Sequence, residues 1–355
     1  MKILLIVDPI DEKRPAGLGR SVYQFALALM KERLRDEFIV VTRNPVSEAS
    51  RFKEVYARVT YETTNGVPLW HARIGQWART VDCVISFTPL VPVTLLHRHI
   101  IVFAHDFAYI EYGSFPQSWI LRILHAITFL KARTVCVISQ DIAHVVRRYF
   151  WLLKRTKVPV VYNGFDHFKP QSVISNRVPA TPFFLSVGVL KERKNTLMTV
   201  QAFAVFTKKI PGYKLFIVGN HHTDYGAQVQ EYIKQNNLAD QVVMKDFVSD
   251  TELAELYQQA TALVFPSLIE GFGFPILEAM AYNTPVITSH TGALAEVAGD
   301  AALLVDPCDK TAVAQAMEQV LSPKLRTELV AKGRVRTTAF TWKTAGHTLS
   351  TIIDI

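Results

Sequence analysis

Cysteine is scarce in this 355-residue chain: there are three, Cys83, Cys136 and Cys308, with no C-x-x-C pair among them. That excludes a disulfide framework and a cysteine-held zinc site, and it fits buried thiols in a reducing compartment. No D-x-D triplet occurs, so the usual sign of a metal-held diphosphate is missing. The set G-x-G-x-x-G plus an acidic residue about twenty positions on is absent too, which counts against a nicotinamide-dependent oxidoreductase. No uncharged apolar run approaches the ~18 residues of a membrane span. The chain opens on an apolar strand, KILLIVD, without a basic leader or cleavage site. No repeat of solenoid period is visible. These absences predict a soluble chain working in the cytoplasm.

What is present suits two ordinary domains with full cores, since 49% of the residues are hydrophobic. Apolar runs of strand length alternate with helical segments, the pattern of parallel sheets covered on both faces. KILLIVD, EFIVVT, DCVISF, HIIVFAHD, ARTVCVIS and VPVVYN read as strands of a first unit. FFLSVG, YKLFIVG, QVVMKD, TALVFPS, PVITS and AALLVD read as strands of a second. The polar, proline-containing segment between them reads as a linker. The expected division is 1–165, a linker at 166–182, a second domain at 183–340, and a final helix at 341–355 that either stays put or crosses back to the first domain.

The most informative segment is SLIEGFGFPILEAMAYNTPVITS, in which Glu270 and Glu278 stand eight apart around a Gly-aromatic-Gly turn. Gly271 and Gly273 let backbone approach a ligand, and Pro275 suits the first position of a helix. The helix N-terminus behind Phe272 and Phe274 then offers unpaired N–H groups and a positive dipole end to a diphosphate. At ~1.5 Å rise per helical residue the two carboxylates are too far apart for one hydroxyl, so they should read different parts of an extended ligand. The plain alternative is a strand-to-helix corner with two solvated glutamates.

Ligands of open parallel sheets lie beyond the carboxyl ends of the strands, which directs attention to the following loops. After KILLIVD, Gly17 and Gly19 precede a helical run, and either a phosphate loop or a plain turn accounts for them. After FFLSVG, Arg193 and Lys194 offer fixed positive charge for a leaving diphosphate, or form a solvated basic loop. Asn195 reads as a side-chain cap of the next helix. His105, in FAHDF, stands at the carboxyl end of a strand, where a structural role is the alternative. His221 and His222 are adjacent, with no carboxylate at metal-ligand spacing nearby, and read as a solvated loop.

From FPSLIEGFGFPILEAMAYNTPVITS through TGALAEVAGDAALLVDP the chain resembles the family 4 (group 1) retaining glycosyltransferases of the GT-B fold; the resemblance runs from about Lys2 to Trp342 and is strongest in the second half. It implies an α/β protein of two Rossmann-like, doubly wound domains whose parallel sheets face across a cleft. The first would bind the acceptor and the second a nucleotide-diphosphate sugar. It also implies that Glu270 contacts the donor sugar, Glu278 the ribose and Lys194 the donor phosphates. His105 would approach the sugar, and the glycine loop at Gly17 and Gly19 would line the cleft. VVYNGFD, with Asn163 and Gly164, resembles the interdomain connector. Many relatives carry an arginine where this chain has Val189, and Arg193 is the residue placed to substitute.

The function expected on this basis is transfer of a hexose, with retention, from a nucleotide-diphosphate sugar to a hydroxyl of a lipid-linked or polysaccharide acceptor in bacterial surface glycan synthesis, as in lipopolysaccharide O-antigen or capsule. The RKN loop with SLIEGFGFPILEAM is most similar to bacterial transferases of surface polysaccharides and favours mannose from GDP-mannose. Neither cofactor nor metal is expected, since Lys194, Arg193 and a helix end serve the diphosphate. A same-fold epimerase, an inverting transferase and an inactive glycan-binding scaffold are the alternatives.

Charge is uneven along the chain. Residues 1–170 carry 23 lysines and arginines against 14 aspartates and glutamates, and the remainder carries 16 against 17. SFPQSWILRILHAITFLKAR and VVRRYFWLLKRTK interleave the basic residues with aromatic and aliphatic ones, as amphipathic segments that rest on anionic lipid do. An ordinary core-facing helix with a basic side is the alternative. The expectation is peripheral association with the inner face of the cytoplasmic membrane. Nucleic acid is not expected as a partner, because no recognition motif accompanies the charge.

Overall fold

The computed structural model describes every residue except 8–16, 43–58, 64–69, 93, 114, 152, 154, 155, 169, 171–180 and 355. The chain divides into two compact units, Met1–Gly164 with Phe340–Ile355, and Phe165–Ala339.

In the first unit the elements run β1 (Lys2–Ile6), α1 (Gly17–Glu32), β2 (Glu37–Thr42), β3 (Val59–Thr63), α2 (Trp70–Ala78), β4 (Cys83–Ser86), β5 (Ile100–Ala104), α3 (Ala108–Tyr112), α4 (Gln117–Lys131), β6 (Thr134–Val137) and α5 (Gln140–Tyr149). The second runs β7 (Phe183–Val187), α6 (Thr196–Lys209), β8 (Lys214–Val218), α7 (Asp224–Gln235), β9 (Val242–Lys245), α8 (Asp250–Gln259), β10 (Ala262–Phe265), α9 (Phe274–Ala281), β11 (Val286–Ser289), α10 (Gly292–Ala298), β12 (Leu303–Val305), α11 (Lys310–Gln319) and α12 (Pro323–Thr338). The last helix, α13 (Trp342–Ile353), belongs to the first unit.

Both sheets are parallel and share one topology: β3-β2-β1-β4-β5-β6 in the first unit and β9-β8-β7-β10-β11-β12 in the second. Central strands such as KILLI and CVIS are buried on both faces, which is why they read as continuous apolar runs. Two differences from the strand reading stand out. VTYET forms β3 although its polar composition gives little strand signal. VPVVYN and the Lys157 before it make only isolated bridges, Thr134 with Lys157 and Val137 with Val160, because Pro159 has no N–H to continue a ladder.

Helix α13 docks on α1 at close range. A Cβ on Gly346 would lie 2.7 Å from the Ala28 carbonyl oxygen, so only glycine lets the backbones approach this far. Trp342 meets Phe25 edge-on at 5.0 Å, and the Arg33 guanidinium donates to Asp354 Oδ1 at 2.8 Å and Ser350 Oγ at 3.2 Å. Gly346→Val should therefore lower stability by roughly 1–3 kcal/mol through overpacking, read as an earlier midpoint in urea. An unchanged midpoint would mean that α13 contributes nothing to the first unit.

Candidate functional site

In the second sheet the strand order reverses between β7 and β10, the place at which open parallel sheets bind their ligands. After β7 the chain makes a single 3-10 turn, Glu192–Lys194, and reaches α6 through Asn195 in the left-handed region at φ 58°. After β10 it passes through Glu270 into α9. The Leu268 N–H donates to the Arg193 carbonyl at 2.8 Å and joins the two loops. Asn195 is buried and sits at the N-cap of α6, but its side chain does not cap it. The amide Nδ2 instead donates to the carbonyls of Pro266 at 3.0 Å and Pro307 at 2.7 Å, tying down the ends of β10 and β12.

Three residues singled out in the sequence meet here. Arg193 Nη1 donates to Glu270 Oε2 and to the Ile269 carbonyl, both at 3.1 Å. Lys194 Nζ donates to Glu270 Oε1 and lies 5.0 Å from the centre of the Phe265 ring. Glu270 is 10% exposed, so its charge is largely removed from water and two cations compensate it. The cluster holds one positive charge in excess, the sign a diphosphate needs.

Helix α9 starts at Phe274 with Pro275 in its first turn. Gly273 precedes it at φ 112°, and a Cβ there would fall 2.7 Å from Leu294 Cδ2, so both backbone and space demand glycine. Phe272 and Phe274 meet edge-on with ring centres 5.2 Å apart. Glu278 lies in the helix and has a different partner from Glu270: the Tyr257 hydroxyl donates to its Oε2 at 2.9 Å. Burial, and then Glu278 itself, push the Tyr257 hydroxyl well above its ordinary pKa, so it stays a donor. Tyr257 lies 21 residues before Glu278, on α8, and no local pattern announces it.

In the first unit, His105 follows β5 and is buried, with Nε2 on the Phe87 carbonyl at 2.8 Å. Burial lowers its pKa, against smaller upward effects of that carbonyl and Asp106. The ring is therefore neutral at neutral pH. A carbonyl can only accept, so Nε2 carries the proton and Nδ1 keeps its lone pair. Gly17 and Gly19 fall inside the first turn of α1 rather than before it; the loop from 8 to 16 lies outside the described residues. At Gly164 a Cβ would sit 2.3 Å from the Trp342 nitrogen, so the chain leaves the first unit beside the point where it returns. Cys83 and Cys136 are buried, whereas Cys308 is exposed. The His221–His222 pair does have a carboxylate beside it: Asp246, at the end of the neighbouring strand β9.

With two Rossmann-like units built on parallel sheets, the chain has the GT-B fold. Over 99% of its length it superposes on sucrose-phosphate synthase (tll1590) from Thermosynechococcus elongatus, with TM-score 0.77 and 21% identity, covering 98% of that chain. It likewise superposes on Anabaena Alr3699/HepE in complex with UDP and glucose, with TM-score 0.75, 19% identity and coverage of 100% and 99%. Residues 169–336, which include Arg193, Lys194, Glu270 and Glu278, match the model of the family Glycosyl transferases group 1. O-antigen chain mannosyltransferase RfbU of Salmonella typhimurium (strain LT2) is 31% identical over 226 residues, 63% of this chain and 62% of that protein. The chain thus matches less than two thirds of that relative's length.

Asn195→Ala should cost roughly 1–3 kcal/mol, because two buried carbonyls lose their donor. Asn195→Asp should cost more, since a carboxylate cannot donate to either. Urea denaturation of the two variants tests this, and equal small effects would count against the tether.

Proposed function

We propose that the protein is a retaining glycosyltransferase moving a hexose, mannose from GDP-mannose in the first instance, to a hydroxyl of a lipid-linked or polysaccharide acceptor in O-antigen-type glycan synthesis. The observation that carries the reading is the Arg193–Lys194–Glu270 cluster at the switch point beside the N-terminus of α9, inside the family segment. The name of the Salmonella relative supports mannose and O-antigen, and the UDP complex of the Anabaena protein supports a nucleotide-linked donor.

On this reading Lys194 and Arg193 take the diphosphate, aided by the helix end behind Phe272 and Phe274. Glu270 orients both cations and contacts the donor sugar, while Glu278, held by Tyr257, takes the ribose. His105 presents a neutral Nδ1 to a sugar hydroxyl. Retention follows from attack on the same face: the bond from C1 to the phosphate oxygen breaks, the bond from C1 to the acceptor oxygen forms, and the acceptor's proton passes to the departing phosphate. The nucleoside diphosphate leaves with its charge matched by Lys194 and Arg193, so no metal is required and transfer persists in chelator.

The first unit carries a surface suited to a lipid-linked acceptor. Helix α4 contains no Asp or Glu, and its Trp119, Ile120, Ile123 and Leu130 are each more than half exposed, as are Phe115 before it and Trp151 after α5. Arg122 lies over the Trp119 ring at 5.3 Å, and Arg147 and Arg148 close α5. Lys154 and Arg155 lie outside the described residues. Among the described residues no helix is long and apolar enough to cross a membrane. Exposed aromatics among cations suit shallow insertion into an anionic leaflet.

Two measurements test the proposal. Calorimetric titration with GDP, UDP and dTDP and their sugars should identify one preferred nucleotide. Lys194→Ala and Glu278→Ala should then weaken binding of the nucleotide alone, while Glu270→Gln should leave it unchanged or tighter and slow transfer about a thousandfold. Equal nucleotide affinity in all three variants would overturn the assignment. In vesicle sedimentation, binding should need anionic lipid, fall with salt, and weaken in Trp119→Ser/Ile123→Ser and Arg147→Gln/Arg148→Gln. Equal partitioning to neutral and anionic vesicles would rule out electrostatic docking.

A further inference from the structure

A second cluster lies at the same carboxyl edge of the second sheet, two strands along from the Glu270 loop. Strands β8 and β9 are parallel neighbours, so the loop that leaves β8 with His221 and His222 comes to lie beside Asp246, the first residue after β9. His221 Nδ1 is 3.3 Å from Asp246 Oδ1, and His222 Nε2 is 3.0 Å from Asp246 Oδ2. One ligand atom from each of the three side chains falls within 4.8 Å of the others. His221 Nδ1 is buried and makes no hydrogen bond, despite the nearby carboxylate oxygen.

The frame around this space is fixed. The Gly219 N–H donates to the Lys245 carbonyl at 2.9 Å, and Gly219 has φ 145° with no room for a Cβ, which would meet the Gly188 carbonyl oxygen at 2.2 Å. Leu190 N–H donates to the Asn220 carbonyl at 2.9 Å, and Thr223 Oγ1 donates to the Leu190 carbonyl at 2.7 Å. The Asn220 side chain accepts from the His222 N–H at 2.9 Å. The neighbouring cation, Lys245, is engaged by Glu252 at 2.7 Å.

We infer that His221, His222 and Asp246 form a binding site for a first-row divalent cation, Zn2+ foremost. Two imidazoles and one carboxylate are a ligand set for such ions, not for Mg2+ or Ca2+, which take oxygen. Bonds of about 2.0–2.1 Å in a tetrahedron place ligand atoms roughly 3.4 Å apart, so the three ligand atoms, which lie within 4.8 Å of one another, would draw together around the ion. Since His222 and Asp246 are exposed, a fourth position remains open to water. The ion would fasten the loop after β8 to the loop after β9. It is separate from the diphosphate cations proposed above, and the inference does not depend on that function.

The test uses the full chain, stripped with chelator and dialysed, then titrated with Zn2+ against a chromophoric chelator and with Co2+ for visible absorption. The native chain should bind one Zn2+ at this site, show the intense Co2+ bands of a four-coordinate centre, and melt at a higher temperature with Zn2+ present. His221→Ala and Asp246→Asn should each weaken Zn2+ more than about tenfold and abolish the thermal shift. His347→Ala, an exposed histidine of the first unit, should change nothing. Asp246→Asn is exposed and nearly isosteric, so it decides the matter even if His221→Ala folds poorly. Absence of Zn2+ binding to the native chain, or equal binding by native chain and both ligand variants, would overturn the proposal.

Discussion

The pairing of Glu270 with Lys194 and Arg193 is the constraint on which the candidate site depends. A carboxylate this far withdrawn from water needs compensation, and the compensation comes from a loop 76 residues earlier in the chain. The pair therefore fixes the 3-10 turn after β7 against the segment after β10, and the Leu268 and Asn195 hydrogen bonds close the same junction through backbone. Glu278, on α9, accepts instead from the Tyr257 hydroxyl.

Sheet order makes the junction possible. Because β7 and β10 are adjacent while the chain winds away from them in opposite directions, the loops that follow them start side by side and their charged side chains can meet. The same edge brings His221 and His222 to Asp246 across β8 and β9. Both clusters join residues distant in sequence, and both are held by main-chain hydrogen bonds between loops, which lets charged groups sit in fixed positions without a large hydrophobic framework of their own.

The first unit is organised differently. Its sheet repeats the same order, but its distinctive features are the docking of α13 on α1 through Gly346 and the apolar, acid-free outer side of α4. The exposed tryptophan and isoleucines of α4 give physical form to the charge asymmetry of the chain, since cations alone would be an ordinary solvated face.

Much was legible in the sequence because periodicity and turn chemistry are local. Buried parallel strands are nearly uniform apolar runs, Pro275 and Gly273 mark the start of α9, and the eight-residue spacing of Glu270 and Glu278 flags the segment. VTYET escaped notice because an edge strand needs little apolar character, and Pro159 cost VPVVYN its place in the sheet. Asn195 was legible as a helix start but not as a tether, because its partners, Pro266 and Pro307, are supplied by other strands. Tyr257 beneath Glu278 and Asp246 beside the histidines gave no sign at all. The sequence by itself determined the elements, the class of fold and the residues that carry charge. Only the tertiary structure decided which of those charges meet, and that α13 belongs with α1, because strand order and helix docking set distances that no spacing along the chain encodes.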